Sequence, residues 1–211
     1  MKLLFVASMT MEFRHLRRSG DEIRTVANGA GAHRAAAAID QALAGFGPDA
    51  MVSVGFCGAL DPALKIADIV VGTTVFAHGR AFPVEPPLTA TAYRSGPICT
   101  VDHVVASAAE KKQLHSDGMI AVDMEAAGVA QRAQKLAVPF FCIKSVTDLA
   151  EETMVNDFNA VLRSDGRFDT IKLLAASLRH PWVKLPELIR LQRRCVLAAR
   201  SLGEFIADCR F

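Results

Sequence analysis

The chain has 211 residues, 51% of them hydrophobic, enough for one globular domain with a sizeable core. A formal net charge of +2 gives no case for a nucleic-acid-binding surface. Five scattered cysteines (Cys57, Cys99, Cys142, Cys195, Cys209), with no C-x-x-C pair and no H-E-x-x-H, read as reduced core thiols, and no metal is expected.

Lys2 and the apolar run at 3–7 have the outline of a signal peptide. The run is short and Glu12, Arg14 and His15 follow at once, so residues 2–8 are expected to form a first strand. Residues 22–27 alternate as a second strand, and Gly29-Ala30-Gly31 then opens an Ala-rich helix expected to reach about Phe46. A dinucleotide-binding fingerprint would also place Gly-x-Gly there, but Arg34 stands near the third glycine's place and no acid ends the next strand. A tight strand-to-helix turn is the remaining reading. Residues 50–54 form a buried strand closed by Gly55-Phe56-Cys57-Gly58, whose small residues would let backbone amides approach a ligand; a packed strand end explains them equally well. Another strand starts at 68–71, and residues 78–97, with four of the nine prolines, are expected to be a long surface loop. Strands near 98–101 and 119–123 flank a helix near 107–115; a helix from Glu125 to about Ala137, a buried strand at 140–143 and further helical patterns complete the chain. Strand–helix alternation with β-branched apolar runs predicts an α/β fold with a mixed sheet covered by helices. No stretch reaches the ~18 apolar residues of a membrane span, and the chain is expected to be cytoplasmic.

Two segments carry carboxylates where strands should end. Val122-Asp123-Met124-Glu125 sits at a strand–helix junction; a carboxylate there can accept two sugar hydroxyls, or can sit at a helix N-terminus on account of the dipole. Lys144-Ser145-Val146-Thr147-Asp148 follows the strand at 140–143, and Asp148 suits either general-acid work or a helix N-cap. Spacing alone leaves both pairs of readings open.

Taken together, these segments resemble the methylthioadenosine/adenosylhomocysteine nucleosidase and purine nucleoside phosphorylase family, over roughly residues 1–155. The resemblance is carried in order by the first strand with its following Glu12, by Gly55-Phe56-Cys57-Gly58-Ala59-Leu60 with Leu64-Lys65-Ile66-Ala67-Asp68-Ile69-Val70-Val71, by Val122-Asp123-Met124-Glu125, and by Val138-Pro139-Phe140 through Asp148. It implies a three-layer α/β/α fold and cleavage of the N-glycosidic bond of an adenine nucleoside, without a cofactor. It further implies that Asp148 protonates or hydrogen-bonds purine N7, that Glu12 orients an attacking water, and that Glu125 holds the ribose hydroxyls with Met124 packed beside the sugar. Phe56, Cys57, Gly58, His103 and Val104 would line the base or sugar pocket. Ser53 and Phe56 stand where phosphorylases of this family carry Arg and Ser for phosphate, which favours water as the acceptor. Lys144 replaces the usual Arg before the acid, keeping the charge and losing the bidentate fork. Residues 77–97 lack the His-Asp-x-Asp pattern of the methylthioadenosine nucleosidases, which points away from methylthioadenosine as the main substrate; that nucleosidase activity is the alternative, and a nucleoside-binding sensor the non-enzyme alternative. The family likeness also implies a homodimer or higher homo-oligomer.

Leu60-Asp61-Pro62-Ala63-Leu64, residues 109–115 and Leu185-Pro186-Glu187-Leu188-Ile189-Arg190-Leu191 resemble the hopanoid-associated phosphorylases, which implies adenosylhopane, a lipid-linked nucleoside, as substrate. The tail at 179–211 has seven Lys and Arg against three Asp and Glu, and Leu185, Leu188, Cys195, Ala199, Leu202 and Ile206 fall near one helical face. Such a helix either packs on the domain or a partner copy, or meets a membrane peripherally.

Overall fold

The computed structural model describes residues 1–16 and 20–211. Eight strands are found among them: β1 (Lys2–Ala7), β2 (Glu22–Ala27), β3 (Ala50–Ala59), β4 (Ile69–Ala77), β5 (Arg80–Pro83), β6 (Arg94–Thr100), β7 (Ala121–Asp123) and β8 (Phe140–Asp148). Five α-helices accompany them: α1 (Ala32–Ala42), α2 (Ala108–Ser116), α3 (Ala126–Leu136), α4 (Thr170–Ser177) and α5 (Pro181–Asp208).

The sheet is mixed. β1 pairs in parallel with β2 and β3, β3 in parallel with β8, and β6 in parallel with β4 and β7. β3–β7, β4–β8 and β4–β5 are antiparallel. These pairings close a ring, β3–β8–β4–β6–β7 and back to β3, from which β2 and β1 extend on one side. The ring gathers the carboxyl ends of β3 and β8 beside β7. One sheet face, with Leu4, Val6, Met51 and Cys142, packs on α1 and α3 through Ile39, Val129 and Ala133. The other, with Leu3, Phe5, Val52, Val54 and Ile143, packs on Leu202, Phe205 and Ile206 of α5. Helices thus cover both faces, as a three-layer α/β/α fold requires.

Several boundaries move relative to expectation. The strand expected at 140–143 runs to Asp148 and every residue of it is buried, including Lys144, Ser145 and Thr147. Hydropathy ends the strand early because its second half is polar, yet ladder bonds to β3 continue with a register shift at Cys57/Gly58. α1 stops at Ala42 rather than near Phe46. The stretch 78–97 is not one loop: it holds β5 and the start of β6. Pro83 ends β5, which pairs only with β4 among the described residues, and Pro97 lies opposite the register shift between Gly72 and Val75 of β4. Edge ends and bulges are where a sheet tolerates proline. Helix does not fill the region after β8 either; residues 149–169 are mostly irregular, with one 3₁₀ turn at Asn159–Val161.

Candidate active site

The site begins with how three carboxylates are brought to one place. Glu12 sits on the 3₁₀ turn Thr10–Phe13 directly after β1. Its Oε2 accepts from Met9 N at 2.6 Å and Ser8 Oγ at 3.0 Å, and its Oε1 from Phe56 N at 3.0 Å. A carboxylate has about four lone-pair sites, so this clamp leaves room for one further donor. Gly55 makes the approach feasible: its φ is +138°, and a Cβ there would lie 2.5 Å from Glu12 Oε1. The missing Cβ of Gly55 thus makes room for the Glu12 carboxylate. A Cβ on Gly58 would likewise stand 3.0 Å from Asp148 Oδ2.

The two acids at the β7–α3 junction have different surroundings. Asp123 is structural: Oδ2 accepts from Ala126 N at 2.8 Å, at the start of α3, Oδ1 accepts from Thr100 Oγ1 at 2.6 Å, and Lys144 Nζ lies 2.7 Å from Oδ2 in an ion pair with no side-chain exposure. Lys144 Nζ has no acceptor in hydrogen-bonding alignment, so the pair is held by charge. Glu125, the N-cap position just before α3, accepts at Oε1 from Gly31 N of the Gly29-x-Gly31 turn at 3.1 Å. Burial pushes the Glu125 carboxyl up to about 8, with the charges of Asp123 and Glu12 adding to the rise and Lys144 opposing it.

Asp148 ends β8, and no helix follows at once, so it is not an N-cap. Its Oδ2 accepts from Lys111 Nζ at 2.5 Å and its Oδ1 from Thr147 Oγ1 at 3.2 Å. Burial raises its carboxyl above the usual range; the Lys111 ammonium works against that rise. Burial raises Glu12 as well. His103 is tied to Asp102 at 3.0 Å and Glu110 at 2.7 Å, and these acids raise its imidazole.

All nine residues singled out from the sequence, namely Glu12, Phe56, Cys57, Gly58, His103, Val104, Met124, Glu125 and Asp148, line one cavity of about 300 Å³. Ser53 does not: it is buried in the sheet, and its Oγ lacks a hydrogen-bond partner. Neither lysine nor arginine is among the described residues lining the cavity. Sequence reasoning missed two parts of the site. One is the apolar wall of Met154, Phe158, Phe168, Leu173, Leu191 and Cys195, supplied by the irregular stretch after β8 and by α4 and α5. The other is Lys111, fully buried behind Asp148; a lysine in the polar segment Ala108–Ser116 carries no sequence signal that it points inward. No described group of three or more His, Cys, Asp or Glu could hold a metal ion.

Comparison with known proteins adds the family. The 5'-methylthioadenosine/S-adenosylhomocysteine nucleosidase of Pseudoalteromonas translucida is 26% identical over 190 residues, covering 76% of this chain and 80% of that one. The protein of the same name from Psychromonas ingrahamii is 29% identical over 169 residues, covering 66% and 73%. Among solved structures, the nucleosidase of S. pneumoniae with a transition-state inhibitor superposes with a TM-score of 0.70 at 19% identity, covering 98% of this chain and 99% of that one. A futalosine hydrolase mutant of Helicobacter pylori gives 0.70 at 16% identity, covering 98% and 97%. At those identities the structures attest the fold, while the Phosphorylase superfamily model matches the sequence itself at residues 5–89 and 88–167, most of the chain, so this chain belongs to the Phosphorylase superfamily.

Proposed function

We propose that this protein hydrolyses the N-glycosidic bond of an adenine nucleoside. The observation that carries the reading is the convergence of Glu12, Glu125 and Asp148, each buried and each raised, on the wall of one cavity. Breaking C1′–N9 leaves positive charge on the sugar and negative charge on the purine. A carboxyl whose proton is held more tightly by burial can donate it to N7 and make the base a better leaving group; Asp148 takes this role. Glu125, with one backbone donor, has acceptor capacity for the ribose 2′ and 3′ hydroxyls, and Met124 packs beside the sugar. Glu12, with one lone-pair site to spare, orients a water and takes its proton as the water attacks C1′. Phe56, Cys57, Gly58, His103 and Val104 complete the walls around base and sugar.

Water rather than phosphate is the acceptor in this reading. Phosphate needs several cations or donors aimed at one point, and Lys144 and Lys111 are both spent on carboxylates behind the wall. The relatives' names make methylthioadenosine and adenosylhomocysteine the alternative substrates. The apolar wall of Met154, Phe158, Phe168, Leu173 and Leu191 suits an apolar 5′ substituent, as in adenosylhopane. Such a lipid-linked substrate accords with a peripheral bilayer contact. Ile171, Leu174, Leu178 and Trp182 are 82%, 47%, 67% and 90% exposed beside the basic Lys172, Arg179 and Lys184, a pattern suited to an anionic lipid surface. No described helix is long and apolar enough to cross a membrane.

The test is adenine release from adenosine, methylthioadenosine and a 5′-alkyl analogue, with and without phosphate. Free sugar formed equally in both conditions is expected, with Asp148→Asn losing at least 10²-fold in kcat. Strict phosphate dependence with a sugar 1-phosphate product would overturn the hydrolytic reading; full turnover by Asp148→Asn would remove the acid.

A further inference from the structure

We propose that Lys111 is a positioning residue for Asp148: through Oδ2 it aims the carboxyl at the cavity and stabilises the carboxylate left once the proton has gone. This rests on Asp148 being the acid of the proposed reaction. The geometry is specific. α2 is a polar helix, and Lys111 is its one buried residue, with no exposed side-chain surface. Its Nζ reaches two acceptors, Asp148 Oδ2 at 2.5 Å and Leu149 O at 2.8 Å. The second bond anchors the ammonium to the backbone next to the acid, so the first bond fixes which carboxyl oxygen is occupied. Burying an ammonium is costly and a buried ion pair is a weak source of stability. α2 also rests Leu114 on the Leu60, Val105 and Val122 cluster, but the one residue it buries completely is a lysine aimed at a cavity carboxyl, which is better explained by the chemistry of that carboxyl than by packing.

The step balances as follows. Before cleavage Asp148 is protonated, with Lys111 donating to Oδ2. As C1′–N9 breaks, its electron pair stays with the purine, and the Asp148 proton passes to N7. Asp148 becomes a carboxylate paired with an ammonium already in place, which needs no reorganisation. Water adds to C1′ and gives its proton to Glu12.

Other groups around Asp148 act more weakly or pull the other way. Glu152, on the stretch after β8, raises Asp148, and is itself bound by Arg194 of α5 at 2.7 and 2.8 Å. The thiols of Cys57 in β3, buried, and Cys195 in α5, partly buried, feel the same carboxyl and are raised chiefly by desolvation. Lys111 is thus the cation in direct contact with the acid, and removing it leaves only the weaker Thr147 hydrogen bond to oppose burial.

The experiment is the pH dependence of kcat for adenine release by wild type, Lys111→Met and Lys111→Arg, with Asp148→Asn as reference and thermal melts to verify folding. A general acid loses activity as pH rises through its own pKa. Lys111→Met should therefore move the alkaline limb upward by at least one pH unit and lower kcat at the optimum at least tenfold, with KM changing less. Lys111→Arg should restore the limb toward wild type. If Lys111→Met fails to fold, Lys111→Gln, which keeps a donor to Oδ2 without the charge, should show the same displacement. A folded neutral variant with an unmoved limb overturns the proposal. Asp148→Asn with full turnover would instead sink the proposed reaction itself, so the two failures are distinguishable.

Discussion

At the scale of the residue, the site is a set of acids kept from ionising freely by burial. Glu125 shows what this does to stability. Its carboxyl rises from an ordinary 4.5 to about 8 in the folded protein. A folded-state pKa above the unfolded value means that the folded protein holds the proton more tightly, so the linked stability is full below about pH 4.5 and is lost as pH climbs through 8. The unliganded protein should melt at progressively lower temperature between pH 5 and about pH 9. Glu125→Gln should flatten that decline, while the raised Asp148 and Glu12 keep part of it. Equal slopes for the two proteins in scanning calorimetry would show that Glu125 is ionised in the folded state. The three acids were legible in the sequence, but only together: a family-like order singled out Glu12, Glu125 and Asp148, whereas spacing left Asp148 undecided between acid and cap. Lys111 was illegible because a polar helix does not declare which of its lysines, here Lys111 or its neighbour Lys112, turns inward.

At the scale of the element, polar residues continue elements that hydropathy would end. β8 carries Lys144, Ser145 and Thr147 through the core because β3 and β4 flank it, and Lys144 finds Asp123 at the end of β7. Asp123 in turn receives Ala126 N at the start of α3 and Thr100 Oγ1 at the end of β6. One carboxylate therefore joins four elements beneath the cavity. Asp123→Asn should leave the Lys144 ammonium buried without its counter-charge and cost about 3–5 kcal/mol, the penalty of breaking a buried pair by removing one partner. Urea unfolding of the variant measures this directly; a loss under about 1 kcal/mol, as for an exposed pair, would mean that Lys144 relaxes to Glu125 or Glu12. The same logic explains the misread stretch 78–97. Pro83 and Pro97 look like loop residues, yet one ends an edge strand and the other faces a bulge, neither of which shows in a list of prolines.

At the scale of the whole molecule, the C-terminal helix decides between two readings of an amphipathic tail. Its apolar face was visible in sequence; which partner covers it was not, because periodicity does not distinguish a core from a bilayer. The structure divides the helix. Ala198, Ala199, Leu202, Phe205 and Ile206 are buried, the last three against Phe5, Val52 and Ile143, while Leu191 and Cys195 line the cavity and Glu187 accepts from Val155 N, Asn156 N and Asn156 Nδ2. The most exposed apolar residues of this region, Ile171, Leu178 and Trp182, lie on α4, directly after it and in the first turn of α5, while Ile189, Val196 and Leu197 are about half exposed farther along α5. Truncation after Lys184 should therefore abolish folding: Leu202, Phe205 and Ile206 alone contribute about 5–9 kcal/mol of burial, comparable to the roughly 5–15 kcal/mol that holds a domain together. A soluble truncated protein with a cooperative melt would show that the face is dispensable. The exposed strip is tested separately, by Trp182→Ser in the full chain. Release of adenine from a small soluble nucleoside should be unchanged, because Trp182 touches neither the cavity nor the core, while co-sedimentation with anionic vesicles should fall several-fold relative to the wild-type protein. Wild-type protein that ignores anionic vesicles and instead self-associates with concentration would assign the strip to a second copy of the chain.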